Sequence, residues 1–300
     1  MGGTKWAVAA AAIMMFIPKP TVAEALEGRK SSAEILNETA AKDWRQIRDD
    51  ELLIIKLEHG EVLVALSPEL APAHVKQIRK LAKEHFYDGL SFYRVIDGFV
   101  AQGGDPFSDR DIGGAKKALK GEFETTVGDK FNFDRLPDKD GYAPEVGFLE
   151  TLPVGFDPRT KTAWHLHCAG AFAFGRENDA DTASTEFYIA LQPQRYLDRN
   201  LSVFGRVIDG MEYLQALRRV NPPETRQDDL GAKIVSIRMA SDLPKEERPH
   251  FEILDSRRPV FADYVAARRN RPEAFFYFRP DYIDICQLPI PVRRVGENEQ

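Results

Sequence analysis

The sequence has few of the features that define several large classes of protein. Its apolar run at residues 6–17 is shorter than the ~20 residues that a helix needs to cross a bilayer. Lys and Arg total 41 against 47 Asp and Glu, and the net charge of −6 offers no broad basic surface to nucleic acid. No internal repeat or low-complexity tract is present. The 300 residues, 43% hydrophobic and 29% charged, therefore indicate an ordinary globular chain with no nucleic-acid partner.

Cysteine is also scarce, with Cys168 and Cys286 as the whole supply. In an oxidising compartment a disulfide between them is permitted, but their spacing does not decide whether it forms. The run His165, His167, Cys168 fits no common zinc-ligand spacing. Alternation along a strand predicts the two histidines at the surface and Cys168 in the core. We therefore expect no metal site, and nothing in the sequence implies a cofactor.

The N-terminus has the organisation of a secretory signal. Lys5 precedes the apolar run, Pro18 ends it, and small residues follow at Ala23 and Ala25. The pattern predicts a signal peptide at residues 1–25, cleaved after Ala25 or after Ala23, and an exported, periplasmic protein without stable membrane insertion afterwards. A single lysine is a thin basic region, so an uncleaved anchor or a buried helix remains the alternative.

Periodicity predicts a core built mainly of strands. Helical spacing occurs from Pro72 to His85 and again at residues 211–220. The stretch 105–162 is rich in Gly, Asp and Pro, and it is interpreted as a long loop. Many short strands with two helices indicate a barrel or a sandwich. The predicted strands cover residues 52–57, 62–66, 90–102, 170–174, 185–191, 201–207 and 232–239.

Two polar segments flank this unit. Residues 26–50 carry apolar positions at Ala33, Leu36, Ala40 and Trp44, which predict a weak amphipathic helix lying against the main domain. Residues 242–300 are rich in Pro, Arg and aromatics, with a short helix predicted at 259–269. The aromatic cluster at 275–278 is interpreted as packing, because so polar a segment needs apolar contacts to be ordered.

The most informative motif is FYRVIDGFVAQGGDP at residues 92–106, which resembles the signature of the cyclophilins. Two further blocks are similar to the same family: GAFAFGRENDADTASTEFYI at 170–189, and YLDRNLSVFGRV at 196–207. The resemblance implies a mainly β fold, a closed antiparallel eight-stranded barrel capped by two helices. It covers residues 51–241, in which 107–162 becomes an enlarged family loop, and it leaves 26–50 as an N-terminal arm and 242–300 as a C-terminal extension.

The resemblance also implies a peptidyl-prolyl cis-trans isomerase that acts on proline-containing polypeptides during the folding of exported proteins. Resonance gives the X-Pro amide a barrier of about 18–20 kcal/mol, and a fixed donor aimed at the proline nitrogen would favour the twisted bond. Arginine suits this role. The alternative is a non-catalytic chaperone or assembly module that binds proline peptides on the same fold.

Family positions transfer to this chain residue by residue. The catalytic group falls on Arg94, Phe99 and Gln102, and the substrate-binding positions fall on Val100, Gly175, Arg176, Glu186, Tyr188, Tyr196, Leu197 and Leu201. No histidine maps to the pocket, so we expect turnover to change little between about pH 6 and 9.

Several of these positions depart from the family. Glu186 replaces a glutamine, and a pair between Glu186 and Arg94 would either hold the guanidinium in place or compete for its donors. Tyr188 replaces a phenylalanine at the floor of the pocket, and Tyr196 replaces a rim tryptophan. Because tryptophan offers more apolar area and an N–H donor, we expect cyclosporin-type cyclic peptides to bind weakly.

Overall fold

A computed structural model describes residues 28–150, 152–223 and 230–296. The predicted signal peptide and its cleavage sites lie outside these ranges. No helix within the described ranges combines the length and apolar character that crossing a membrane requires.

The described residues form four α-helices and sixteen strands. The helices are α1 (Ser32–Asn37), α2 (Pro72–Lys83), α3 (Met211–Gln215) and α4 (Pro259–Arg269). The strands are β1 (Trp44–Gln46), β2 (Leu52–Leu57), β3 (Gly60–Leu66), β4 (Ser91–Val95), β5 (Val100–Gly104), β6 (Thr125–Thr126), β7 (Asp134–Leu136), β8 (Glu145–Leu149), β9 (Leu152–Asp157), β10 (Thr162–His165), β11 (Ala171–Phe174), β12 (Phe187–Ala190), β13 (Val203–Asp209), β14 (Ala232–Met239), β15 (Phe251–Leu254) and β16 (Val292–Arg294).

Eight strands close into an antiparallel barrel, in the order β11-β12-β5-β4-β14-β2-β3-β13. The predicted fold class is therefore confirmed. The surroundings of β2 explain why its sequence is almost continuously apolar. Leu53 and Ile55 point into the barrel, whereas Leu52 and Ile54 face a second cluster that includes Phe251. Both faces of this strand are covered, so it has no polar side to alternate with.

Helices α2 and α3 pack on the barrel core. Val75, Ile78 and Leu81 of α2 join the interior cluster, and Pro72 occupies the first helical turn as the sequence predicts. The second helix is shorter than predicted. It ends at Gln215, because Val220 leaves the helical pattern and exchanges backbone hydrogen bonds with Val95.

The interpretation of residues 105–162 as a long loop is wrong. Strands β6 to β10 form a five-stranded sheet in the order β6-β10-β9-β8-β7. Glycines interrupt the alternation of apolar and polar residues that would reveal these strands. They are required because neighbouring segments leave no room for a side chain. A Cβ atom at Gly147 would lie 2.2 Å from the carbonyl oxygen of Asp134, and one at Gly155 would lie 2.6 Å from the indole of Trp164.

The flanking segments form a small sheet of their own, β1-β15-β16. The predicted helix in the N-terminal arm extends only from Ser32 to Asn37, with Ser31 and Glu34 forming a capping box. Trp44 belongs to β1 and pairs with Leu254, so the helical interpretation fails there. The predicted helix at 259–269 is confirmed as α4.

The two cysteines form a disulfide, which the sequence left open. Cys168 joins Cys286, and the bond ties the connection between β10 and β11 to the C-terminal segment. The prediction of surface histidines is wrong: His165 and His167 are both buried. His165 ends a strand whose four residues are all buried, and His167 lies outside any strand, so the alternation rule does not apply to it.

Three of the four rings in the aromatic cluster at 275–278 are not packed as expected. Phe275, Tyr277 and Phe278 are 82%, 100% and 81% exposed. Polar contacts organise this segment instead, because the Arg279 guanidinium donates hydrogen bonds to the carbonyl oxygens of Arg271 and Glu273.

Candidate active site

A groove of about 820 Å³ lies on the outer face of the barrel. Its floor is formed where β5 and β12 pair, with Gln102 opposite Tyr188 and Val100 opposite Ala190. Because side chains alternate along a strand, Ala101 and Ile189 enter the barrel core, whereas Val100 and Tyr188 form an outer apolar cluster with Phe99 and Leu201. The barrel thus supplies a rigid floor for the groove.

Ten of the eleven site residues predicted from the sequence line this groove: Arg94, Phe99, Val100, Gln102, Gly175, Arg176, Glu186, Tyr188, Leu197 and Leu201. Tyr196 is not among the lining residues, and it is 59% exposed. Residues from four separated segments therefore meet at one place. The catalytic and binding roles assigned to them stay predictions.

Arg94 is held by two neighbours. It lies opposite Gln102 in the pairing of β4 with β5, and its Nη1 donates a hydrogen bond to Gln102 Oε1 at 3.1 Å. The guanidinium carbon lies 5.3 Å from the centre of the Phe99 ring. A ring beneath the guanidinium and an acceptor at its edge together restrict the plane in which the arginine presents its donors.

Glu186 bonds to Tyr93 and Gln102, not to Arg94. Its Oε2 accepts a hydrogen bond from the Tyr93 hydroxyl and another, at 3.1 Å, from Gln102 Nε2. Burial raises the pKa of the Glu186 carboxyl, while these two hydrogen bonds act in the opposite direction. Gln102 Nε2 also donates to the Tyr93 hydroxyl at 2.5 Å. Since Tyr93 and Glu186 together take the amide nitrogen of Gln102, the amide oxygen is turned towards Arg94.

The floor residue Tyr188 has a polar contact beneath the groove. Its hydroxyl lies 2.9 Å from His167 Nε2, and His167 Nδ1 lies 3.1 Å from Asp198 Oδ1. Burial raises the pKa of Tyr188 well above its usual range, and the Asp198 carboxylate acts in the same direction. As the sequence predicts, no histidine is among the residues that line the groove, but His167 contacts the floor residue Tyr188 from behind.

The second half of the groove was not found from the sequence. Asp105 begins its wall and accepts hydrogen bonds from the backbone N–H groups of Phe107 and Arg110. Arg110 in turn donates to the carbonyl oxygens of Phe86 and Asp88. The dipeptide Asp105-Pro106 predicts a turn, but no local sequence pattern indicates that this turn will form a wall of the groove. The missed lining residues are Phe86, Asp105, Ser108, Asp109, Arg110, Asp111, Ile112, Lys117, Glu177, Thr182, Ser184 and Thr185.

Comparison with known proteins agrees with this architecture. Residues 52–239 match the family described as cyclophilin type peptidyl-prolyl cis-trans isomerase/CLD. A probable peptidyl-prolyl cis-trans isomerase of Brucella suis biovar 1 (strain 1330) is 28% identical over 193 residues, which are 64% of this chain and 84% of that protein. Peptidyl-prolyl cis-trans isomerase B of Bacillus subtilis (strain 168) is 33% identical over 158 residues, 52% of this chain and 83% of that one.

A solved structure resembles a larger part of the chain. The crystal structure of cyclophilin AquaCyp293 from Hirschia baltica matches with a TM-score of 0.69 and 28% identity, and the match covers 89% of this chain and 98% of that one. The similarity therefore extends beyond residues 52–239, into the segments that flank the barrel.

Proposed function

The chain belongs to the cyclophilin-type peptidyl-prolyl cis-trans isomerases, and we propose that it uses the groove around Arg94 to isomerise X-Pro bonds in exported proteins during their folding. The observation that carries the assignment of the site is the fixed guanidinium of Arg94 at the edge of an apolar floor. This arrangement provides directed hydrogen-bond donors next to a surface that suits a pyrrolidine ring.

Rotation about the amide bond explains why a fixed donor would accelerate the reaction. As the bond twists, resonance is lost and the proline nitrogen regains its lone pair. A donor that bonds this nitrogen stabilises the twisted state more than the planar one, which is the condition for catalysis. Gln102 Oε1 accepts from one nitrogen of Arg94, and a guanidinium has five N–H groups, so Arg94 can also donate to a bound peptide.

The apolar floor would hold the proline ring and exclude water. Phe99, Val100 and Leu201 pack around Tyr188 in one cluster on the outside of the barrel. Gln102 has a second role in this proposal, since its amide is engaged by Glu186 on one side and by Arg94 on the other. We assign to Gln102 the orientation of the guanidinium, in addition to the catalytic position that the family resemblance implies for it.

Export to the periplasm is the part of the proposal that concerns location. The signal pattern at residues 1–25 supports it. The disulfide between Cys168 and Cys286 gives independent support, because structural disulfides form and persist in oxidising compartments. The substrates would then be proline-containing polypeptides that fold after export.

Exchange spectroscopy by NMR on an Ala-Pro peptide tests the catalytic proposal. We expect the cis and trans signals to exchange faster when a small molar fraction of the protein is added. Binding of the peptide without faster exchange, at protein concentrations comparable to the peptide, would contradict catalysis and favour the non-catalytic binding module.

A further inference from the structure

A buried chain of hydrogen bonds runs from the floor of the groove into the protein. It links the Tyr188 hydroxyl to His167 Nε2 at 2.9 Å, and His167 Nδ1 to Asp198 Oδ1 at 3.1 Å. Asp198 also accepts a 2.6 Å bond from Arg195 Nε. Tyr188, His167 and Asp198 all lie in positions with little contact to solvent, so each polar group depends on the next for its partner.

The partners of this chain assign the position of the hydrogens. The Asp198 carboxylate only accepts hydrogen bonds, and the same Oδ1 atom accepts from the backbone N–H of His167 at 2.8 Å. A neutral His167 therefore carries its ring hydrogen on Nδ1, which leaves Nε2 as an acceptor. The Tyr188 hydroxyl must then donate to Nε2, so its hydrogen points away from the groove.

His167 is firmly anchored. Its carbonyl oxygen accepts a 2.7 Å bond from the backbone N–H of Gln194, and the next residue, Cys168, is bonded to Cys286. The rings of His167 and Tyr188 are nearly parallel, with an interplanar angle of 11°. The histidine thus offers its acceptor at a fixed place behind the tyrosine.

We propose that His167 is a positioning residue for substrate binding, which holds the Tyr188 hydroxyl away from the groove so that a bound proline ring meets an apolar floor. The inference rests on the proposed function. Without His167 the hydroxyl would lack its buried partner and would turn to water in the groove. A bound proline would then have to displace that water and cover an unpaired donor, which weakens binding. Arg94 would be unaffected, so the chemical step would keep its rate.

Steady-state kinetics of the full-length protein test the role of His167. We expect His167→Leu to raise KM for an Ala-Pro peptide about tenfold while kcat changes less than about twofold. His167→Gln, which keeps a side-chain acceptor, should recover most of the loss in KM. In a Tyr188→Phe background, which has no hydroxyl to place, His167→Leu should cause no further increase in KM.

Two results would overturn the proposal. The first is an equal rise in KM on His167→Leu with and without the Tyr188 hydroxyl. The second is ¹⁵N NMR of the parent protein showing the ring hydrogen of His167 on Nε2. The NMR measurement needs no activity, so it separates this inference from the proposed function, which fails if the parent protein does not accelerate exchange. If His167→Leu does not fold, His167→Gln and the ¹⁵N spectrum still decide.

Discussion

Arg94 and Gln102 lie opposite each other on strands β4 and β5, and Arg94 Nη1 donates to Gln102 Oε1 at 3.1 Å. The contact matters because Gln102 is itself oriented from the other side by Glu186. The direction of the guanidinium is therefore fixed by Gln102 of β5 and by Glu186, which directly precedes β12. If direction is what the reaction needs, charge alone will not replace this arginine.

We predict that Arg94→Ala lowers kcat/KM for an Ala-Pro peptide about 10²–10³-fold, the usual loss when one preorganised donor is removed. Arg94→Lys should recover only part of the activity, since a lysine carries a point charge on a flexible stem. Peptide exchange rates measured by NMR check both variants.

Arg135 provides a matched control for these variants. It also lies over a phenylalanine ring, with its guanidinium carbon 5.4 Å from the centre of Phe133, and it pairs with Glu145 in the inserted sheet, outside the groove. Arg135→Ala should retain parental activity. Full activity in Arg94→Ala would remove the catalytic assignment, and full recovery by Arg94→Lys would show that charge suffices.

His165 should make the protein sensitive to acid. Burial lowers the pKa of His165 to about 4, whereas an unfolded chain would titrate near 6.5. Because the folded pKa is the lower one, neutral His165 makes its full contribution to the free energy of unfolding above pH ~6.5. This contribution is lost as the pH falls towards 4. The free energy of unfolding lost over this pH range is about 3 kcal/mol. We predict that the difference in free energy of unfolding between the parent and His165→Gln becomes smaller as the pH falls across this range.

Urea unfolding at several pH values between 7.5 and 4 measures this effect. His59→Gln is the control, because His59 lies exposed in the turn between β2 and β3. A plot of the free energy of unfolding against pH should run parallel for this variant and the parent. A constant difference between the parent and His165→Gln at every pH would contradict the prediction.

The disulfide should contribute measurably to stability. Cys168 and Cys286 are separated by 118 positions, and closing a loop of that length restricts the unfolded chain strongly. We predict that reduction lowers the free energy of unfolding by about 2–4 kcal/mol. Urea titrations with and without dithiothreitol measure it. The double variant Cys168→Ser, Cys286→Ser should be insensitive to the reductant, and the prediction fails if the parent is equally insensitive.

The exposed aromatic residues should add little to stability. Phe278 is 81% exposed, so we predict that Phe278→Ala changes the free energy of unfolding by less than about 0.5 kcal/mol. Phe261 lies in the same C-terminal segment but is buried, and its ring packs against Phe148 of β8. Phe261→Ala should lower the free energy of unfolding by about 3–5 kcal/mol. Comparable losses in the two variants would mean that the rings at 275–278 are packed after all.

The sequence by itself determined those parts of the protein whose cause is local. Periodicity in 52–66 predicted the hairpin of β2 and β3, and apolar spacing after Pro72 predicted α2. The motif at 92–106 contains Arg94, Phe99, Val100 and Gln102, which lie within nine residues of one another on two paired strands and the turn that joins them. A short segment of this kind fixes its own geometry, so recognising the motif located these four lining residues of the groove.

Only the tertiary structure decided the features that depend on distant contacts. The sheet β6 to β10 has glycines where neighbouring segments of the same chain approach closely, and these glycines erase the pattern that marks a strand. His167 and Tyr188 are 21 positions apart, and nothing local indicates that one supports the other. Tyr196 lies outside the lining of the groove although its neighbour Leu197 is part of it. In each case the deciding neighbour comes from another segment, and burial by another segment leaves no period in the sequence.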